Sequence, residues 1–290
     1  MLSDNRTDRA PTLIREDADR SPVIVAVGDQ WRYGVLPEGA EPVGEGFDEA
    51  SGLPRRIRWL KDNAEMALVP AGEFLMGSTD ADSNASSAEK PQHRVRLDAD
   101  YTDVCPVTVG QYRAFCQDAH PVVDGTWHDS AAYSEWAGKK LPTEAQWEKA
   151  ARGTDGRIWP WGNQWNGQAA HCDYQHKCQW SDTTAPVGSH PQGVSPYGCH
   201  DLIGNVWEWC ADWYDDGYYK RSPGTPGVPE QNPRGPEFGT GRVLRGGSWF
   251  VDCTLGWLRC AYRRDFVPDL RLAGRGFRCA QDLPVPSLPL

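Results

Sequence analysis

The sequence has no apolar run near the roughly 20 residues that a membrane-spanning helix needs, so no membrane span is expected. It also lacks a basic excess: 30 Lys and Arg stand against 40 Asp and Glu, for a net charge of -10. Nucleic-acid binders usually carry the opposite sign, so no nucleic-acid partner is expected. Residues 1–20 hold no apolar core of the kind found in secretory signal peptides. A cytoplasmic protein is therefore expected, with its nine cysteines mostly as reduced thiols. An odd count leaves at least one of them unpaired in any setting.

Tryptophan and glycine are abundant instead, 14 and 30 in 290 residues, which favours a turn-rich fold with aromatic anchors over a helical bundle. That length allows one large core, or one core with a small appendage. Residues 1–20 are charged and poor in apolar side chains, and are expected to be disordered. Two strand-like runs around Gly28-Asp29 predict a hairpin, and residues 36–63 mix Pro, Gly and charge like a linker. Residues 21–63 are thus read as hairpin and linker, 64–282 as the main domain and 283–290 as a tail. In the main domain, residues 66–78 read as strand, turn, strand, and HRVRL (93–97) alternates as a half-exposed strand does. Thr108 is placed to cap a helix over 109–115, a second helix covers about 130–136, and a third follows Thr143 with Trp147 facing inward. From Gly153 onward long loops are expected, and Pro-rich residues 222–236 must be one. Residues 171–178 (HCDYQHKC) hold two His and two Cys but match no standard zinc spacing, and read as a polar loop.

The most informative stretch is residues 241–280. Gly246-Gly247-Ser248-Trp249 opens it and Gly276-Phe277-Arg278 closes it. Between these frames lie Phe250, Val251, Leu255, Trp257, Phe266, Leu270 and Leu272, with no sustained period of 2 or 3.6. High apolar content without periodicity points to side chains used for contact and not to a core face.

Eight motifs in order carry a family resemblance: VPAGEFLMGS (69–78), PVTVGQYRAF (106–115), WAGKKLPTEAQWEKAARG (136–153), WPWGN (159–163), PVGSHP (186–191), YGCHDLIGNVWEWCADWY (197–214), RVLRGGSW (242–249) and GFRCA (276–280). Residues 66–280 resemble the formylglycine-generating enzyme (sulfatase-modifying factor) domain family. The resemblance implies an α+β, C-type-lectin-like fold with two short helices, a twisted antiparallel sheet and long loops. Enzymes of that family oxidise a substrate cysteine with oxygen, using copper and two cysteines that fall five and ten positions before Cys260. Here those positions are Leu255 and Phe250, neither of which can bind a soft metal. Cys253 is the lone cysteine in the loop and serves as the candidate under the enzyme alternative, a copper-dependent oxidoreductase. Secretory members also carry disulfides near positions that are Ser134 and Ala150 here, which leaves Cys260 and Cys279 as buried thiols or close neighbours of each other. The resemblance further implies a structural calcium ion held by the side chains of Asp201 and Glu208 and the carbonyls of Gly204 and Val206, a sensible start toward the six to eight oxygens calcium takes.

Variable proteins made by diversity-generating retroelements resemble this arrangement within the same fold; in them the segment between the two frames is rewritten. Phe250, Val251, Asp252, Cys253, Asp265, Phe266, Leu270, Leu272, Ala273 and Gly274 sit where such proteins vary, while Arg259, Arg263, Pro268, Asp269, Arg271 and Arg278 fit a fixed scaffold. With Leu255 and Trp257 added, the varying positions form the expected contact surface for a protein or small-molecule ligand, a rigid frame displaying aromatic anchors. Phe250, Leu255, Trp257, Phe266 and Leu272 are expected to form one exposed patch. A third reading is a structural accessory domain of a signalling assembly, acting through residues 1–63.

Overall fold

The computed structural model describes residues 36–44, 46–116, 125–172, 184–221, 228–249, 255–271 and 273–283, together with the backbone of three strands nearer the N-terminus. Those strands, β1 (Leu13–Ile14), β2 (Ile24–Val27) and β3 (Gln30–Tyr33), form a small antiparallel sheet of their own. The expected hairpin is β2–β3, with Ala26 opposite Trp31. The expectation of disorder in residues 1–20 is corrected at Leu13 and Ile14, which pair with Val25 and Ile24.

Next along the chain come β4 (Ala40–Pro42), β5 (Arg56–Trp59), β6 (Ala64–Val69), β7 (Gly72–Met76), β8 (His93–Leu97) and β9 (Asp100–Asp103). Three helices follow: α1 (Val109–Phe115), α2 (Trp127–Trp136) and α3 (Glu144–Arg152). The remainder is β10 (Trp207–Trp213), a single turn α4 (Tyr218–Arg221), β11 (Glu230–Gln231), β12 (Arg242–Arg245), β13 (Arg264–Phe266), β14 (Arg275–Gly276) and β15 (Ala280–Asp282). One sheet has the order β15-β9-β6-β5-β4, another β11-β8-β7, and the third β13-β12-β10-β14. In the last, β14 runs parallel to β10 and the other pairs are antiparallel.

Local chemistry explains the helices. Thr108, Thr126 and Thr143 each accept a hydrogen bond from the third helical residue, and Gln111, Asp129 and Gln146 reach back to close reciprocal caps. The second helix therefore starts at Trp127, three residues before the expected start, because the Thr126–Asp129 pair sets its end. Three helices, not two, precede the loops. Strand β8 alternates as expected, with His93, Val95 and Leu97 buried and Arg94 and Arg96 exposed.

The linker reading of residues 36–63 is corrected: β4 and β5 extend the sheet beyond β6, and Leu53, Ile57 and Trp59 are buried with Met66, Leu68 and Tyr101. Proline, glycine and charge dominate the composition of that stretch, but alternate residues of β5 face inward and supply the core. Helix α3 is buried along its whole length, and its Trp147 is fully enclosed. Its carboxylates, Glu144 and Glu148, thus lie inside the protein, where they need cationic partners.

Candidate functional site

Two glycines after β12 build the first frame. Gly246 and Gly247 have φ of 93° and 77°, where L side chains are strained. A Cβ on Gly246 would lie 2.8 Å from the Leu202 carbonyl oxygen, and one on Gly247 would lie 2.7 Å from Leu258. The chain then continues through buried Ser248 to Trp249, whose amide donates to the Asn205 carbonyl at 3.0 Å. The second frame is β14, held to β10 by the pairing of Arg275 with Trp207 and of Gly276 with Glu208.

Four buried arginines hold the segment between. Arg278 donates to Glu208 through Nε at 2.6 Å and Nη2 at 2.7 Å, and to the carbonyls of Asp103, Val104 and His200. Arg263 forks onto Glu144 at 2.8 and 2.6 Å and bonds the carbonyls of Ala88 and Asp215. Arg259 bonds both carboxylate oxygens of Glu89 and also Asp82. Arg245 pairs with Glu148 and bonds the carbonyls of Cys260, Ala261 and Tyr262. Paired guanidinium and carboxylate forks of this kind are both strong and directional. Arg259, Arg263 and Arg278 are therefore scaffold, as expected. Arg271 is not: it is exposed and pairs with Asp129 at the surface. Asp269 also lies at the surface, 3.3 Å from His128, whereas Pro268 is buried.

Between these inward arginines the chain turns outward. Asp265, Val267, Leu270 and Ala273 are exposed, and Gly274 is half-buried. Trp257 is half-buried and stacks on Tyr262 at 6.2 Å, and Tyr262 lies 6.0 Å from Trp207. The Arg264 guanidinium covers Trp257 at 5.3 Å, and that of Arg275 covers Phe266 at 3.7 Å. This ladder of aromatic rings and cations suits planar or apolar ligand groups. Sequence reasoning missed Trp207, Tyr262, Arg264 and Arg275 as parts of it. Trp207 opens a strand inside a family motif that also holds the fully buried Trp209, and nothing local separates the two.

Of the five residues expected to form one exposed patch, Leu255, Trp257 and Phe266 are described, and each is half-buried. Leu255 is half-buried and packs against the main core cluster, while Phe266 packs on a different cluster with Trp127 and Trp207. Leu258, between them, is fully buried. Leu255 and Leu258 face inward from a turn that also carries Trp257, so no strand or helix period marks them. Phe250, Val251, Asp252, Cys253 and Leu272 lie outside the described residues.

All seven described cysteines are free thiols. Cys260 and Cys279 are fully buried in separate clusters, not near each other. Burial pushes the Cys260 thiol up to about 12 and raises that of Cys279 as well, so neither is a ready thiolate. Ser134, where the resemblance implies a disulfide, has its hydroxyl 3.4 Å from the Cys279 sulfur. Cys172 is buried in the main core, and residues 173–178 lie outside the described set.

Two metals are implied by the resemblance, and the described residues at their positions already have protein neighbours. For copper, Leu255 offers only carbon. For calcium, both Glu208 oxygens are taken by Arg278, and Trp147 donates to one of them at 2.7 Å. Asp201 accepts from the Gly188 amide at 2.6 Å, and the Gly204 amide donates to the Gly246 carbonyl. A guanidinium already neutralises Glu208 and would repel a divalent cation.

Residues 55–283 match the sulfatase-modifying factor enzyme 1-like domain. The formylglycine-generating enzyme of Thermomonospora curvata is 34% identical, over 75% of this chain and 93% of that protein. Among solved structures, PvdO from Pseudomonas aeruginosa aligns with a TM-score of 0.66 and 25% identity, over 79% of this chain and 98% of its own. Treponema denticola variable protein 1 aligns with a TM-score of 0.59 and 23% identity, over 76% and 95%, and shares the fold. Among the described residues no helix is long and apolar enough to cross a membrane.

Proposed function

Because the chain belongs to the sulfatase-modifying factor enzyme 1-like domain family, we propose that it is a non-catalytic member that binds a protein or small-molecule ligand through residues 249–275. The observation that carries this reading is Leu255. It stands where the family resemblance puts a catalytic cysteine, and it is an aliphatic side chain packed on the core. A second support is the alternation of the segment itself, with arginines turned inward to fix the backbone and Trp257, Asp265, Phe266, Leu270 and Ala273 turned toward solvent or half-covered. A backbone fixed independently of its outward side chains is what a diversified contact surface requires. The coding DNA bears on the finer reading: a near-copy of the stretch for residues 242–279, differing only at adenines and lying beside a reverse transcriptase, would mark a retroelement-diversified protein.

The enzyme alternative draws on the likeness to formylglycine-generating enzymes and on Cys253. Oxygen uptake by the purified chain, supplied with copper and a cysteine-containing peptide, separates the two readings. Uptake at the background rate is expected. Turnover that disappears in Cys253→Ser would overturn the non-catalytic reading.

A further inference from the structure

The aromatic ladder at the outer surface closes on itself. Trp207 of β10 pairs with Arg275 of β14, and the Arg275 guanidinium lies over Phe266. Phe266 and Arg264 stand two residues apart on β13 and so share one face of the sheet. The Arg264 guanidinium lies over Trp257, Trp257 stacks on Tyr262, and Tyr262 returns to Trp207. Four half-buried rings thus form one continuous patch, and continuous apolar surface left in reach of water marks an interaction site.

The charge of the patch is one-sided. Arg264 is exposed, and among the described residues no carboxylate lies within ion-pairing distance of it. Arg94 and Arg271, exposed like it, each hold one, Glu73 and Asp129. The acid next in sequence, Asp265, projects to the opposite face of β13, where its carboxylate lies against Gly241. A guanidinium resting on a ring keeps its N–H edge for a partner, and a carboxylate matches that edge. In a chain of net charge -10, this corner of the surface complements acid.

Spacing selects the form of the partner. The Tyr262 ring centre lies 6.0 Å from that of Trp207 and 6.2 Å from that of Trp257. Alternate side chains on one face of an extended peptide recur at about 6.6 Å, twice the rise per strand residue. A small planar ligand covers one ring, whereas an extended segment meets successive rings in step.

We propose that this patch binds an extended acidic segment of a partner protein. Alternate aromatic side chains of the segment rest on Trp207, Tyr262 and Trp257, and a carboxylate meets Arg264. The proposal rests on the contact-surface reading, names the partner's chemistry, and carries the surface beyond residues 249–275 to Trp207.

Selection of phage-displayed random peptides on the full chain tests it, followed by titration of the enriched sequences as free peptides. Enrichment of acidic sequences bearing aromatic residues is expected. Those peptides are expected to bind Arg264→Glu at least about tenfold more weakly, because the reversal sets like charges against each other. Versions of the same peptides with Lys in place of Glu are expected to regain binding to Arg264→Glu, a rescue that damage to the fold would not give. Arg264 is exposed, so the reversal should leave the unfolding midpoint in place. Trp257→Ser is expected to weaken the same peptides by removing a ring. Neutral or basic sequences that need Trp257, or acidic ones indifferent to Arg264→Glu, overturn the acidic partner and leave the contact surface standing. Sequences indifferent to both variants overturn the ladder as the site, and absence of any enrichment overturns peptide recognition. Oxygen turnover that depends on Cys253 would instead overturn the non-catalytic reading beneath the proposal.

Discussion

Six arginines lie within residues 259–278, and they divide into two sets of opposite use. Arg259, Arg263 and Arg278 are at most 3% exposed, and each has a carboxylate fork and backbone carbonyls around its guanidinium. Arg264 and Arg271 are exposed and Arg275 is half-buried; two of these three lie over aromatic rings and the other pairs with Asp129 at the surface. The residue type is the same and the neighbours in sequence are similar, yet one set holds the backbone and the other colours the surface. The difference is burial. Inside, a guanidinium without its carboxylate leaves an uncompensated charge, whereas outside water screens whatever is lost.

The largest effect expected from breaking this contrast comes from Arg263→Ala. It leaves Glu144 buried without its fork and should cost about 3–5 kcal/mol in urea unfolding, while Arg271→Ala should cost about 0–1 kcal/mol. Equal losses for the two would dissolve the distinction.

Acid sharpens it further. Burial alone would raise the Glu148 carboxyl, but Arg245 and Arg152 outweigh it and hold the group below its ordinary value of 4.5. A carboxyl depressed in the folded state adds stability that is present above the unfolded value and is lost as pH falls through the folded one. Acid titration of unfolding should thus show stability declining below about 4.5, and Glu148→Gln should remove part of that slope along with overall stability. A slope unchanged in Glu148→Gln would mean that the inward pairs do not carry the acid response.

The smallest effect concerns Arg278. If its fork occupies Glu208, millimolar calcium or its removal by chelator leaves the unfolding midpoint where it was. A calcium-dependent rise would show that an ion competes with the guanidinium for that carboxylate.

Much of the scaffold was legible along the chain because its causes are local. Thr108 and Thr143 cap helices through residues three positions away, and β8 shows its buried face by simple alternation. The start of α2 was displaced because its cap, Thr126, follows a glycine and precedes a tryptophan, and no apolar period announces it. Strand β5 was hidden by composition, since its arginines and the prolines and glycines before it resemble a linker until Ile57 and Trp59 are seen facing inward. The surface ladder was half legible. Trp257 stood out in the irregular segment, but Trp207 meets it through Tyr262, from a strand 50 residues earlier.

The sequence by itself determined the family motifs, the glycine frames at Gly246-Gly247 and Gly276, and the leucine at position 255. These are statements about which atoms exist, and no folding can supply a thiolate that Leu255 lacks. Tertiary structure alone decided which arginines are scaffold, which rings meet, and that Glu208 is engaged by Arg278. Arg259 and Glu89 are 170 residues apart, Arg263 and Glu144 are 119 apart, and Arg278 and Glu208 are 70 apart. Pairs so distant leave no period or spacing in the chain. They come into being only when packing removes water from both partners at once, and that shared desolvation makes each depend on the other.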